Sequence, residues 1–252
     1  MKKILYSILI FLLILLNFST VCADDVDNEV DFEDTIEVTA SNVSELPKTN
    51  SRRYIVYDRI SKSMIIGKNE DVKSAMASTT KIMTTIVILE KANLNEKVTV
   101  SAKAGGTGGS RLGLKRGDKA SVRDLLYGLM LRSGNDAAVA LAEHVGGSVK
   151  GFAELMNEKA IELGLTNTHF VTPHGLDDAN HYTTALELAK LTDYAMNNET
   201  FAKIVGTKST TIYINNQSRQ INNTNELLGV LNGVVGVKTG FTNNAGRCLV
   251  TE

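Results

Sequence analysis

Ser78 and Lys81 are the two residues whose types and spacing first suggest covalent chemistry. A serine hydroxyl is a poor nucleophile until a base takes its proton. A lysine three residues further along a helix lies on the same face and can reach back over it. Both sit in the string Ala77-Ser78-Thr79-Thr80-Lys81-Ile82-Met83-Thr84-Thr85. Ile82, Met83, Ile86, Val87 and Leu89 supply apolar positions at near-helical spacing. The spacing therefore predicts a buried helix that begins at Ser78 and runs to about Ala92. A helix N-terminus carries partial positive charge and unpaired N–H groups, which favour an alkoxide or an oxyanion. A neutral Lys81 can serve as base if burial or a second cation lowers its pKa. Taken alone, Ser-x-x-Lys arises by chance about once in a chain of this size. On its own it reads first as a helix cap followed by a solvated lysine.

The elements that must position this pair follow from the pattern of the chain. Residues 54–57 and 63–66 read as short strands joined in a hairpin. After the Ser78 helix comes a brief extended piece at 98–100, then a loop carrying Gly105, Gly106, Gly108 and Gly109 up to Ser110. That loop lacks the strand, helix and Lys-Ser/Thr context of a phosphate cradle. Ser110 and Arg111 after it are candidates for the border of a cleft, since binding residues favour loops. Ser121-x-x-Asp124 resembles a capping box and opens a helix over 122–131. A second helix spans 135–145 and stops at Gly146-Gly147. A third runs from Ser148 to Gly164, and Thr184-x-x-Glu187 opens a fourth to about Met196. Strand patterns return at 210–214, 234–237 and 246–250. Strands at both ends with helices between predict an α+β fold, an antiparallel sheet of sequence-distant segments packed with helices.

Composition bounds the class. The chain has 252 residues, a net charge of −1 and 43% hydrophobic residues. That suits a globular protein with a sizeable core. Near-zero charge without a basic stripe argues against a nucleic-acid partner. The first 23 residues read as a secretory signal peptide: Lys2 and Lys3, an apolar run over 4–18, then Val21-Cys22-Ala23 with cleavage after Ala23. The apolar run is short for a membrane span of about 20 residues. Residues 24–50 read as an acidic disordered spacer, with no Lys or Arg between Asp24 and Glu45. The folded domain is expected over 51–252. With the leader removed, Cys248 is the only cysteine, so no internal disulfide is expected. His169, His174 and His181 with Asp177 and Asp178 show no paired ligand spacing and read as a structural loop rather than a metal site. No cofactor and no metal are implied.

Two more stretches sit downstream of Ser78-x-x-Lys81. One is Ser133-Gly134-Asn135, between two apolar helices, and the other is Lys238-Thr239-Gly240. Ser-x-x-Lys, Ser-Asp-Asn and Lys-Thr-Gly in that order form the signature of the β-lactamase and penicillin-binding protein group, and this chain has all three with Gly134 in the middle position of the second. The chain resembles the low-molecular-mass penicillin-binding proteins, specifically the serine-type D-alanyl-D-alanine carboxypeptidases. The resemblance extends through Phe152-Ala153-Glu154-Leu155-Met156-Asn157, Leu163-Gly164-Leu165-Thr166-Asn167-Thr168-His169-Phe170, Pro173-His174-Gly175-Leu176, Asn223-Thr224-Asn225 and Lys238-Thr239-Gly240-Phe241-Thr242.

The resemblance implies a β-lactamase/transpeptidase-like fold with a helical subdomain. It implies removal of the terminal D-alanine from peptidoglycan pentapeptide stems in cell-wall remodelling, outside the cytoplasmic membrane, with β-lactam antibiotics as covalent inhibitors. By position, Ser78 is the expected nucleophile, Lys81 the base and Ser133 a proton relay. Asn135, Lys238, Thr239 and Gly240 are expected to bind substrate, and the backbone N–H groups of Ser78 and Phe241 to form the oxyanion hole. In the family the chain continues past the point matching Glu252, with further strands, a closing helix and often a β-rich domain bearing an amphipathic membrane anchor. The expectation is therefore a C-terminally truncated catalytic domain, with peripheral membrane association belonging to a region beyond Glu252. Two alternatives stand beside the main reading: an inactive or non-catalytic penicillin-binding protein, and a β-lactamase. The second lacks the Glu-x-x-Leu-Asn string that supplies the deacylating glutamate in class A enzymes.

Overall fold

The structure is a computed structural model that describes residues 49–252. The expected signal peptide (1–23) and all but the last two residues of the expected spacer (24–50) lie outside the described residues. Strands β1 (Tyr54–Asp58) and β2 (Ser63–Lys68) form the expected hairpin. Its turn is held by Asp58, whose carboxylate accepts from the N–H groups of Ile60 and Ser61 and from the Ser61 hydroxyl.

The Ser78 segment differs from a plain helix start. Ala77–Thr80 is a 3-10 turn, and only from Lys81 does the chain become the α-helix α1 (Lys81–Lys91). Ala77 enters this turn at φ +47°, a left-handed conformation that alanine adopts only under constraint. Helix α1 is buried nearly all round, with Ile82, Met83, Ile86, Val87 and Ile88 removed from solvent. A helix apolar on every face belongs in the centre of a domain.

Strand β3 (Lys97–Thr99) leads to a short helix α2 (Ala102–Gly105), capped by the Ser101 hydroxyl accepting from Ala104 N–H at 3.0 Å. Four residues are too few to show a helical period, so this stretch reads in sequence only as a glycine-rich loop. After β4 (Lys119–Ser121), helix α3 (Val122–Leu131) starts as its capping box predicts, the Ser121 hydroxyl accepting from Asp124 N–H at 3.0 Å. Helix α4 (Asn135–Gly146) ends at Gly147, φ +69°. Helices α5 (Val149–Glu162) and α6 (Ala185–Met196) are capped by Ser148 and Thr184. Helix α7 (Glu199–Val205) was not foreseen; Asn198 caps it.

Strands β5 (Ser209–Ile214) and β6 (Gln217–Asn222) pair through the two-residue turn Asn215-Asn216, both at positive φ. Strand β6 carries one buried apolar residue, Ile221, and so leaves no alternation to read. Strands β7 (Val237–Thr242) and β8 (Gly246–Thr251) close the described chain. The strand expected at 234–237 thus starts where it was expected to end, because Lys238 and Gly240 are residue types depleted in strands and mask the continuation. The strands do not join into one sheet. β1–β2 and β7–β8 are separate hairpins, and the sequence-distant pairing lies in the sheet β3-β4-β5-β6, where Ala120 pairs with Ile214. Among the described residues the two hairpins are tied by side chains instead: Arg59 ion-pairs with Glu252 and with Asp193 of α6.

The core surrounds α1, which packs against α3, α4, α5, α6 and α7. Leu125, Leu126, Leu129, Phe152, Phe170 and Phe201 fill the space between them. One buried charge organises the loop beside it. The Asp136 carboxylate in the first turn of α4 accepts from the N–H groups of Leu112, Gly113, Leu114 and Ala137 at 2.7–2.9 Å. Removing it would strand three loop N–H groups, each costing about 1–3 kcal/mol when left unpaired. Asp136→Ala should therefore lower the unfolding free energy in urea by about 3 kcal/mol or more, and a loss below about 1 kcal/mol would contradict this role.

Candidate active site

The 3-10 turn presents Ser78 half-buried at the surface end of α1, and the first α-helical residue behind it is Lys81, fully buried. The Lys81 amine lies 2.9 Å from Ser78 Oγ, 2.8 Å from Asn135 Oδ1 and 2.8 Å from the His174 carbonyl oxygen. Three acceptors suit an ammonium. They suit a neutral amine equally: its two hydrogens go to Asn135 and His174, and its lone pair accepts the Ser78 hydroxyl proton. Burial decides between the two states. It pushes the Lys81 pKa well below the ordinary lysine value, the Lys238 charge lowers it further, and Asp136 opposes both.

Lys238 comes from β7, which runs past the 3-10 turn. Only 1% of it is exposed, and its amine donates to the Thr239 carbonyl at 2.8 Å. Burial pushes its pKa down to about 7. The Lys238 charge in turn disfavours a proton on Lys81. Close passage of the strand depends on Gly240: a Cβ there would come within 2.9 Å of Ser78 N and 3.2 Å of Ala77 Cβ. Thr239 is half-buried, its hydroxyl 3.0 Å from that of Thr224. Phe241 follows on the same strand with its ring exposed.

The opposite wall is the turn between α3 and α4. Asn135 uses both ends of its amide, Oδ1 toward Lys81 and Nδ2 donating to the Gly108 carbonyl at 2.8 Å, while its own N–H donates to the Ser110 carbonyl. Gly109 leaves room for this amide, since a Cβ would lie 2.6 Å from Asn135 Nδ2. The glycine loop that the sequence placed near a cleft thus backs Asn135 through Gly108, Gly109 and Ser110; Arg111 is exposed beside it. Ser133 is buried at φ +55° in the same turn, and among the described residues its hydroxyl makes no hydrogen bond to Lys81. Ser78, Lys81, Asn135, Lys238 and Gly240 are therefore brought together directly, while Thr239 and Phe241 stand at the rim and Ser133 stays buried in its turn without a bond to Lys81.

The fourth side is the segment 170–184, which sequence reasoning read only as structural. Pro173 and His174 give their carbonyls to Thr84 and Lys81. Burial, with the Lys81 charge next, pushes the His174 pKa down to about 3, and burial pushes His181 to about 4, so both rings are neutral near pH 7. The remaining acidic residues serve this loop: Asp177 accepts from the Thr242 hydroxyl at 2.6 Å, and Asp178 accepts from Asn180 N–H. No local signal marks these carbonyls, because the Lys81–His174 contact joins residues 93 positions apart in the chain.

A serine hydroxyl within hydrogen-bond distance of a buried lysine amine, with a second buried lysine on the neighbouring strand, is a geometry suited to serine–lysine acyl transfer. The sequence model described as D-alanyl-D-alanine carboxypeptidase matches residues 39–252. The chain is 37% identical over 204 residues to the Bacillus subtilis D-alanyl-D-alanine carboxypeptidase DacF, covering 79% of this chain and 52% of DacF. It is 42% identical over 201 residues to the D-alanyl-D-alanine carboxypeptidase of Streptomyces sp. (strain K15), covering 73% and 69%. The crystal structure of the Streptomyces K15 DD-transpeptidase superimposes with a TM-score of 0.76 at 37% identity, over 81% of this chain and 85% of that one. The chain belongs to the D-alanyl-D-alanine carboxypeptidase family of penicillin-binding fold. It spans about half the length of DacF.

The two lysines make a prediction about pH. Lys238 carries its charge below pH about 7, where it disfavours a proton on Lys81. In Lys238→Gln the Lys81 pKa rises, so a larger fraction of Lys81 is protonated at each acidic pH and cannot accept the serine proton. The acidic limb of the pH profile for Ser78 acylation should move to higher pH, and the plateau rate should fall by about 10²-fold with the loss of a cation near the developing charge. A profile scaled down but not displaced would contradict the electrostatic role.

Proposed function

We propose that this chain carries the catalytic domain of a serine-type D-Ala-D-Ala carboxypeptidase that removes the terminal D-alanine from peptidoglycan stem pentapeptides. The observation that carries the reading is the Lys81 amine at 2.9 Å from Ser78 Oγ, buried and with two other acceptors to hold its hydrogens. The Ser78 oxygen attacks the carbonyl of the penultimate D-alanine as its proton passes to Lys81. The tetrahedral oxyanion faces the N–H groups of Ser78 and Phe241. Collapse breaks the peptide bond, and the leaving amine takes the proton that Lys81 accepted. Water then attacks the acyl-enzyme with Lys81 again as base, releasing the shortened stem and restoring Ser78. A positioned base of this kind contributes about 10²–10⁴-fold.

Lys238 and the Thr239 hydroxyl would receive the substrate carboxylate, and Gly240 lets the peptide lie against the open edge of β7. Asn135 retains one N–H and one oxygen lone pair beyond its two bonds, and these are offered to the substrate amide. A β-lactam presents the same carbonyl and carboxylate and would acylate Ser78. We place the reaction outside the cytoplasmic membrane, at the cell wall, supported by the leader pattern of residues 1–23.

The test uses a fluorescent penicillin and a pentapeptide ending in D-Ala-D-Ala. The wild type should be labelled and should release D-alanine. Ser78→Ala should do neither, while melting within a few degrees of wild type. Labelling of Ser78→Ala equal to wild type would overturn the assignment.

A further inference from the structure

The Ala77–Ser78 peptide is held by a polar chain that the reaction itself does not use. Ala77, at φ +47°, is 1% exposed. Its carbonyl accepts the Thr80 hydroxyl at 2.8 Å, and the Thr80 oxygen lies 2.8 Å from His181 Nε2. The direction of this chain is fixed at its far end. His181 Nδ1 accepts from Val171 N–H at 2.9 Å and, more weakly, from Thr172 N–H at 3.4 Å, so in the neutral ring the hydrogen resides on Nε2. Nε2–H then donates to Thr80, and Thr80 has its own hydrogen left only for Ala77. Thr80 is wholly buried and His181 is 3% exposed, so water does not substitute for either bond.

We propose that His181 is a positioning residue for the nucleophile, acting through Thr80 on the Ala77–Ser78 peptide plane. The peptide unit is planar and trans, so fixing the Ala77 oxygen on one side fixes the Ser78 N–H on the other. Left to itself, an alanine at positive φ would relax, since this conformation crowds its Cβ against the following carbonyl oxygen. The surroundings leave it no room to do so. Gly175, at φ +87°, packs so closely that a Cβ would overlap the Ala77 carbonyl oxygen, and Gly240 closes the side toward Ser78 N. The glycines confine the plane sterically, and the His181–Thr80 chain sets its rotation. The inference rests on the acyl-enzyme reading for its consequence, though the hydrogen-bond chain belongs to the free protein.

Two pairs of substitutions separate positioning from mere packing. In His181→Gln the side-chain N–H₂ takes the place of Nε2–H and keeps the bond to Thr80, while the bond from Val171 is lost. In His181→Asn the side-chain oxygen takes the place of Nδ1 and keeps the Val171 bond, while Thr80 is out of reach. Thr80→Ser keeps the hydroxyl and Thr80→Val removes it at similar volume. His181→Asn and Thr80→Val should each slow penicillin acylation about 10–100-fold at saturation, the cost of misplacing a reacting group by a fraction of an ångström to an ångström, with the dissociation constant of the initial complex unchanged. His181→Gln and Thr80→Ser should stay within a few-fold of wild type, and the Thr80→Val/His181→Asn double variant should be no slower than either single one. On the unliganded protein, the Ser78 amide nitrogen resonance should move in His181→Asn and Thr80→Val and stay in place in His181→Gln. His181→Asn acylating at the wild-type rate, or a Ser78 amide resonance indifferent to both substitutions, would overturn the proposal. A wild type that penicillin does not label would overturn the acyl-enzyme reading instead, and the amide resonances would still decide the chain.

Discussion

Everything at this site follows from hiding two lysine amines in one dry space. An isolated ammonium moved from water to protein interior loses several kcal/mol even after relaxation, and two together add repulsion. Hydrogen bonds to a charged group return about 1.5–3 kcal/mol each, and Lys81 has three acceptors. Shedding one proton removes both the repulsion and one desolvation term while keeping all three contacts, with the serine now the donor in one of them. Neutralisation of Lys81 is therefore the state the fold selects. The same contact that satisfies the amine is the one through which the proposed reaction would draw the Ser78 proton.

The scaffold is arranged to keep that space dry and its acceptors in place. Helix α1 runs through the middle of the helical layer, so Lys81 at its start is as buried as Ile82 and Met83 after it. Asn135 is fixed from the back by the Gly108–Ser110 loop, and that loop is tied down in turn where Asp136 gathers the N–H groups of residues 112–114. The Pro173–His174 segment supplies the third acceptor from its backbone. Each wall meets the nucleophile turn at a glycine: Gly175 against the Ala77 carbonyl and Gly240 against Ser78 N. Larger residues at either place would push a wall away and let water reach the lysine.

The helices with capping residues and glycine stops were legible in the sequence because local chemistry sets them: Ser121 before α3, Gly147 after α4, Ser148 before α5 and Thr184 before α6 all act where their types suggest. Ser78, Lys81, Asn135 and Lys238 were legible as a motif set, and the structure gathers them. What escaped was set by distant packing. Lys238 occupies a core position in a strand, which no periodicity announces. The 3-10 turn at Ala77–Thr80 needs a left-handed alanine, and that depends on Gly175 almost a hundred residues on. Pairing of Ala120 with Ile214 rests on packing between segments far apart in the chain. His181 looked like one polar loop residue among several, because its partner Thr80 is visible only once the loop lies over α1.

The central claim is that Lys81 is a neutral amine in the resting protein, and the most direct measurement is its own titration. Lysines labelled with ¹³C at Cε report protonation through their chemical shift, and the Lys81 resonance can be assigned by its loss in Lys81→Met. A Lys81 midpoint well below those of the exposed lysines, moving upward in Lys238→Gln, is the result predicted. A Lys81 that titrates with the exposed lysines, near the ordinary value of about 10.4, would contradict the account at its root.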